Sequence, residues 1–272
     1  MLRAKAYTKQ AVVIDLCTTQ YDEDKAVIPE GFKVLSNLQQ SVLDANQKLQ
    51  GRKLPLIADI IQKASEGAPA EYIIYTNADI GLMPYFYDFV SDKINEGYDA
   101  LIINRRRLNS SYQSVDQLPE IYADMGLSHP GFDCFVFRQD LIDKMILGDI
   151  CVGISFIGVA LAHNLFTLAE KPLYLDDQHL TFHLGTQVLV PRKNAFYTHN
   201  HKEFFEKVLP QLKPAMHLEK FPYALLPWPK RMLKWILNPS LFTRNYLELE
   251  GQSFLQKCKT RLDEIRWRIL QK

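Results

Sequence analysis

The chain has 272 residues, of which 47% are hydrophobic and 23% are charged, and this globular composition excludes a fibrous or disordered protein. Lys and Arg number 32 against 31 Asp and Glu, so the net charge is +1 and the broad positive field of a nucleic-acid-binding protein is absent. The charge is nevertheless uneven, because residues 201–272 carry a net +7 and residues 1–200 a net −6.

The cysteines and apolar segments indicate a cytoplasmic protein. The four cysteines are far apart and form no C-x-x-C pair, which excludes a disulfide framework and a zinc ribbon. No apolar stretch reaches the roughly 20 residues of a membrane span, and no apolar signal region follows the charged N-terminal residues.

Strand and helix patterns alternate along the first part of the chain. Short β-branched or aromatic runs predict strands, and apolar residues at helical spacing between Pro and Gly residues predict helices. The predicted strands are residues 11–17, 72–75, 100–103 and 134–137, and the predicted helices are residues 56–66, 85–96 and 154–168. This order predicts an α/β domain with a mostly parallel sheet, in which polar residues after the strand ends gather at one edge.

The pattern changes near residue 200. Residues 221–229 are too rich in proline for regular structure, and an apolar 3-4-3-4 spacing then predicts a helix from Leu255 to Ile269. We therefore expect a basic, mostly helical extension over residues 201–272. Residues 228–237 alternate basic and aromatic side chains; we expect them to pack on their own domain, and the alternative is peripheral contact with the inner face of an anionic membrane.

Asn77 and Asp79 are the strongest candidate site residues, since they directly follow an apolar strand. A carboxamide and a carboxylate on one side of a strand provide the oxygen donors that a hard divalent cation accepts. The alternative is a turn in which the same side chains bind backbone donors.

Later polar residues add further candidates. Arg105 and Arg106 follow the third strand and are suited to bidentate contacts with a diphosphate or an acidic acceptor, or else they belong to a solvated charge run. His129 and Asp133 flank a Pro-Gly pair that presents both to a substrate or forms a plain turn. His179 and His183 have no Glu beside them and lie in a strand-like stretch, which disfavours a helical zinc pair.

Three of these segments resemble a known family. The stretch YIIYTNAD, ending at Asp79, resembles the DxD-bearing strand of nucleotide-sugar glycosyltransferases with the GT-A fold, with Asn77 replacing the first Asp. Residues 51–55 (GRKLP) stand where that fold places basic residues near the donor nucleotide, and residues 131–138 (GFDCFVFR) resemble its acceptor-side strand. The resemblance covers roughly residues 10–195, and it implies a GT-A-like mixed, mostly parallel sheet flanked by helices within a catalytic domain of residues 1–200.

The resemblance also implies ligands for these residues. It implies a nucleotide-diphosphate-sugar donor bound by Thr18, Arg52, Lys53, Asn77 and Asp79, and an acceptor that is a glycan, a lipid or a protein. It further implies Mn²⁺ or Mg²⁺ held by Asp79, Asn77 and His183, because GT-A enzymes often contribute a late His to the metal.

The chain departs from the family at the catalytic base. Many inverting members carry a Glu-Asp pair on the helix after the acceptor strand, whereas residues 153–161 (GISFIGVAL) contain no carboxylate. Asp133 is then the first candidate base, with Arg105, Arg106 and His129 as the other candidate catalytic residues. A retaining mechanism without such a base and an inactive chain are the remaining alternatives.

We therefore predict a metal-assisted glycosyltransferase. The alternative is a non-catalytic nucleotide- or glycan-binding protein on a degenerate GT-A scaffold. A nucleotidyltransferase is disfavoured, because residues 18–24 lack the glycine-rich loop expected after the first strand.

Overall fold

The computed structural model describes residues 1–67, 69–108, 111–129, 131–185 and 194–237. The chain divides into two compact units, Met1–Met216 and His217–Lys272. The predicted extension begins at residue 201, and its residues up to Met216 belong to the first unit. The predicted helix from Leu255 to Ile269 lies outside the described residues.

The strands are short and lie in the first unit. They are β1 (Cys17–Thr18), β2 (Lys33–Val34), β3 (Tyr72–Thr76), β4 (Gly81–Leu82), β5 (Ala100–Ile103), β6 (Arg106–Leu108), β7 (Leu127–Ser128), β8 (Cys134–Arg138), β9 (Pro172–Leu175) and β10 (Thr181–Leu184). The predicted strands at residues 72–75, 100–103 and 134–137 are therefore confirmed. The prediction for residues 11–17 is wrong except at Cys17: no strand forms over residues 11–16, and Val13 is 94% exposed.

Helices connect and flank these strands. They are α1 (Leu2–Tyr7), α2 (Val42–Ala45), α3 (Ile57–Gly67), α4 (Phe86–Asn95), α5 (Leu118–Ala123), α6 (Ile157–Leu168), α7 (Ala195–Lys202), α8 (Leu209–Leu212) and α9 (Trp228–Leu237). A π-helical stretch, Glu203–Val208, joins α7 to α8. Among the described residues, no helix has both the length and the apolar character needed to cross a bilayer.

The central sheet has the strand order β3-β8-β5-β9. Strand β8 runs antiparallel to both of its neighbours, and β5 runs parallel to β9. The mixed α/β class is thus confirmed, but the sheet is less parallel than expected because β8 is inserted between β3 and β5. The order of elements along a sequence does not reveal such an insertion.

Helices cover the central sheet. All four residues of β5 are buried, which means that both faces of this strand are covered, since consecutive side chains point to opposite faces. Phe86 and Val90 of α4 join a buried cluster with Leu101 and Val136 of the sheet, and α6 also contacts β5 and β8.

A second sheet has the strand order β4-β10-β6-β7, and the chain crosses repeatedly between it and the central sheet. The chain passes from β3 to β4, from β5 to β6 and from β9 to β10, and it returns from β7 to β8. We call these four connections the crossing segments; they are residues 77–80, 104–105, 176–180 and 129–133. Five of the ten predicted site residues lie on them: Asn77, Asp79, Arg105, His129 and Asp133.

Candidate active site

Asp79 and His183 meet at the second sheet. Asp79 lies in the turn before β4, where the Ile80 amide donates to the carbonyl oxygen of Asn77 (3.1 Å). Strand β10 pairs with β4, and this pairing brings Nε2 of His183 to 3.1 Å from Oδ2 of Asp79. The Asp79 side chain is 62% exposed and that of His183 is 17% exposed, so the carboxylate is open to a ligand.

Asn77 is held by its own strand. Its Oδ1 accepts a hydrogen bond from the hydroxyl group of Tyr75 (3.0 Å), two residues earlier. Burial, and to a smaller extent the charge of Asp79, raises the pKa of Tyr75, which keeps this hydroxyl protonated as a donor. Because β3 ends at Thr76, a turn rather than strand alternation sets the position of Asp79 relative to Asn77.

Asp133 forms a buried ion pair with Arg105. Both side chains are less than 10% exposed, and Nη1 of Arg105 donates to Oδ1 of Asp133. The Asp133 backbone amide donates to the carbonyl oxygen of Ile103 (3.1 Å), and the Asp133 carbonyl oxygen accepts from the hydroxyl group of Thr76 (3.3 Å). These bonds hold the Asp133 backbone between the ends of β5 and β3. Arg138, at the other end of β8, donates to Asp140 (2.6 Å).

The Asp133 carboxyl has a perturbed proton affinity. Burial raises its pKa to about 6, although Arg105 beside it acts in the opposite direction. To a smaller extent, the charge of Asp79 also raises this pKa. Among the described residues, Oδ2 of Asp133 has no hydrogen-bond partner.

His129 lies beside this pair as a neutral imidazole. Burial, together with Arg105, Arg107 and His183, lowers its pKa to about 3. A Cβ atom at Gly131 would lie 2.6 Å from Nε2 of His129 and 3.3 Å from Oδ2 of Asp133. Because glycine has no Cβ atom, the His129 imidazole and the Asp133 carboxylate can both lie close to the backbone of residue 131.

Asn104, which is not among the predicted site residues, connects the crossing segments through its hydrogen bonds. Its buried amide donates to the carbonyl oxygens of His129 (2.9 Å) and Asp176, and its own carbonyl oxygen accepts from the hydroxyl group of Thr181 (2.8 Å). Its position as the first polar residue after the buried strand β5 is the signal that identifies it.

Arg106 is directed to other partners. Its guanidinium group pairs with Asp177 and donates to the carbonyl oxygens of Met125 and Gly126. The charges of Arg105 and Arg107 both lower the pKa of His129, as expected for alternate residues that point to the same side of the chain. Arg106 holds neighbouring loops together instead.

Three predicted donor-binding residues lie on other elements. Thr18 is in β1, whose backbone pairs with β2, and Arg52 is exposed. Lys53 binds Glu23 (2.8 Å) and lies 3.9 Å above the ring of Tyr21. The contacts of Lys53 are therefore with the loop after β1.

Comparisons with known proteins give distant structural similarities. No protein-family model matches the chain, and no curated protein matches it. The chain is similar to Staphylococcus aureus TarS in complex with UDP-GlcNAc, with 12% identity over 82% of this chain and 79% of that chain and a TM-score of 0.37.

A second similarity is to glucosyl-3-phosphoglycerate synthase from Mycobacterium tuberculosis in complex with Mn²⁺, UDP and glucosyl-3-phosphoglycerate. It has 12% identity over 72% of this chain and 69% of that chain, with a TM-score of 0.40. A mycobacterial protein shows 10% identity over 76% of this chain and 68% of that chain, with a TM-score of 0.41. The chain is therefore similar to these proteins at low identity and low TM-score.

Proposed function

We propose that the chain is a metal-assisted GT-A-type glycosyltransferase that moves a sugar from a nucleoside-diphosphate sugar to an acceptor. One observation carries the proposal: Oδ2 of the exposed Asp79 carboxylate lies 3.1 Å from Nε2 of His183. The charge of Asp79 also raises the pKa of Asp133, which is buried in its ion pair with Arg105. The resemblance of the Asp79 segment to a DxD-bearing strand supports the same function.

The donor set at Asp79 fits a divalent cation. Adjacent octahedral ligands with bonds of about 2.1 Å are about 3 Å apart, close to the separation of Asp79 and His183. Within the described ranges, no three His, Cys, Asp or Glu side chains are placed to hold one metal ion together, so Asn77, water and the diphosphate are the candidates for the remaining positions. When bound, Mn²⁺ or Mg²⁺ supplies charge neutralisation for the departing diphosphate.

Asp133 is the candidate general base. A sugar-acceptor hydroxyl is a weak acid, so a positioned carboxylate assists its attack by taking up its proton. Oδ2 of Asp133 has no hydrogen-bond partner among the described residues, and a pKa of about 6 leaves the group ionised at neutral pH. Arg105 orients the carboxylate, and neutral His129 offers a ring nitrogen to the acceptor.

A specific observation favours the second candidate function, a non-catalytic nucleotide-sugar-binding protein. The first turn of α6 carries no acidic residue, and Asp133 is buried in its ion pair with Arg105. If that pair is only structural, the site retains the Asp79–His183 pair and lacks a base.

Release of nucleoside diphosphate separates the two functions. The full chain is incubated with UDP-, GDP- and dTDP-sugars and MnCl₂, and the released nucleoside diphosphate is measured. We expect Mn²⁺-dependent hydrolysis of one donor class and a loss of at least about 100-fold in Asp79→Asn. Asp143→Asn, which changes an exposed carboxylate on another segment, is the matched control.

Two results would contradict the proposal. Donor binding without release in any of the mixtures favours the binding protein. Equal release by wild type and Asp79→Asn removes Asp79 from the reaction.

A further inference from the structure

Helix α9 and the turn before it expose several large apolar side chains. Leu225 is 93% exposed, Trp228 65%, Leu233 58% and Leu237 52%. Lys230 and Lys234 are exposed on the same helix. Leu233, Leu237, Lys230 and Lys234 lie on one side of the helix, and we call these four residues the apolar–basic face. Trp228 lies about two turns before the buried Trp235 and is therefore on the other side.

The apolar and basic parts of this face adjoin each other. Leu233 and Leu237 are four residues apart, as are Lys230 and Lys234, and each lysine is three residues before one of the leucines. Residues three or four apart are neighbours on a helix surface. The helix therefore presents a leucine stripe bordered by lysines.

The opposite side of α9 is fixed by packing. Trp235 is 5% exposed, and its indole N–H donates to the carbonyl oxygen of Pro222 (2.9 Å). Arg231 donates to the carbonyl oxygen of Ala224 (3.0 Å), and its guanidinium group lies 5.2 Å from the Trp235 ring. These contacts fix the rotation of α9 about its own axis. The apolar–basic face therefore lies on the side of the helix opposite Trp235.

The charge around the face is positive. Residues 217–237 contain four Lys and Arg side chains and one Glu. A helix with exposed Leu beside Lys, and with few acidic residues, is the pattern of helices that lie in a membrane interface. The lysine stems can lie along the apolar boundary while their ammonium groups reach the headgroups.

We propose that the apolar–basic face binds the surface of an anionic lipid bilayer. Leu233 and Leu237 enter the headgroup boundary, and Lys230 and Lys234 pair with anionic headgroups. The positive charge of this helix complements anionic headgroups. Two copies of the chain that paired through this face would instead bring the same lysines against one another.

Vesicle binding by the full chain tests this proposal. We expect co-sedimentation with vesicles of 70% phosphatidylcholine and 30% phosphatidylglycerol, weaker binding in 0.5 M NaCl, and little binding to pure phosphatidylcholine. Lys230→Gln with Lys234→Gln should weaken binding about 25-fold, about fivefold for each charge. Leu233→Ser with Leu237→Ser should weaken it at least tenfold.

Matched variants elsewhere control for exposure and charge. Lys48→Gln with Lys144→Gln removes two exposed lysines of the first unit, and Val13→Ser with Val27→Ser removes two apolar side chains that are 94% and 78% exposed. Both should bind like wild type.

Other outcomes would overturn the proposal. Equal binding to both vesicle types, or equal losses in the face variants and the controls, excludes a specific anionic-lipid surface. A dimer in sedimentation velocity that the leucine variants dissociate assigns the face to a second copy of the chain.

Discussion

At the residue scale, the site combines an exposed pair with a buried pair. Asp79 and His183 lie within hydrogen-bond distance at the surface, whereas Asp133 and Arg105 are removed from water. The first pair is suited to a hydrated cation and the second to a fixed charge. The two pairs are coupled, because the charge of Asp79 raises the pKa of Asp133.

Asp133→Asn tests the proposed base. The transfer rate should fall about 10²- to 10⁴-fold, and the wild-type rise of rate with pH through about 6 should disappear, because only the ionised carboxylate accepts a proton. The variant should also lose about 3 kcal/mol of stability, because the buried Arg105 is left without its partner. Rates at several pH values and urea unfolding measure both effects.

A double variant separates the two roles of Asp133. Asp133→Asn with Arg105→Gln removes the unpaired buried charge, so much of the stability should return while the transfer rate stays low. Transfer at the wild-type rate in either folded variant would contradict the assignment of Asp133 as the base.

His129 should make the protein sensitive to acid. Its pKa is about 3 in the folded chain and near 6.5 in the unfolded chain, so below pH 6.5 the unfolded state binds more protons. Stability contributed by neutral His129 is therefore present above pH 6.5 and is lost as the pH falls toward 3. Between pH 7.5 and 5.0, wild type should lose about 2 kcal/mol more than His129→Gln in urea unfolding.

His217→Gln, at an exposed histidine, is the control for the loss of an imidazole. Identical pH slopes for wild type and His129→Gln would show that His129 does not remain neutral in the folded protein.

At the scale of elements, buried asparagines hold the segment that leads into α6. Asn164 of α6 bonds the amide and carbonyl groups of Ile146 (2.7 and 2.8 Å). Asn200 of α7 bonds both backbone groups of Cys151 (each 2.9 Å) and the carbonyl oxygen of Ser155 (3.1 Å). The two amides satisfy backbone groups that would otherwise be buried without partners.

Asn200→Ala should destabilise the first unit by about 3 kcal/mol or more. The substitution leaves an amide and two carbonyl groups of the segment without their partner, and each such group costs about 1–3 kcal/mol when buried. Asn95→Ala, at an exposed position of α4, should change stability by less than about 0.5 kcal/mol. Equal melting temperatures for both variants would contradict the proposed anchoring.

At the scale of the whole molecule, local patterns predict elements better than they predict pairing. The runs at residues 72–75, 100–103 and 134–137 are apolar and β-branched or aromatic, so their strands follow from the sequence. The antiparallel insertion of β8 and the Arg105–Asp133 pair join residues that are distant along the chain. No local pattern encodes such contacts.

In the candidate site too, the positions that follow strands are predictable from the sequence and the contacts between them are not. Polar residues after a buried strand identify Asp79 and Arg105, because strand ends point to one edge of a sheet. The run of three arginines does not show which guanidinium groups approach His129, since this depends on the pleat of β6. The contacts of Tyr75 and Asn104 likewise depend on the crossing segments.

Calorimetric titration of the full chain with UDP, GDP or dTDP, with and without MnCl₂, tests the central claim most directly. One nucleoside diphosphate should bind only with Mn²⁺, and Asp79→Ala should abolish this binding while circular dichroism stays unchanged. His183→Ala should weaken it at least tenfold, and Asp143→Asn should bind like wild type. Unchanged affinity in Asp79→Ala, or no Mn²⁺-dependent binding of any of the three, would contradict the assignment of Asp79 and His183 to a metal–diphosphate site.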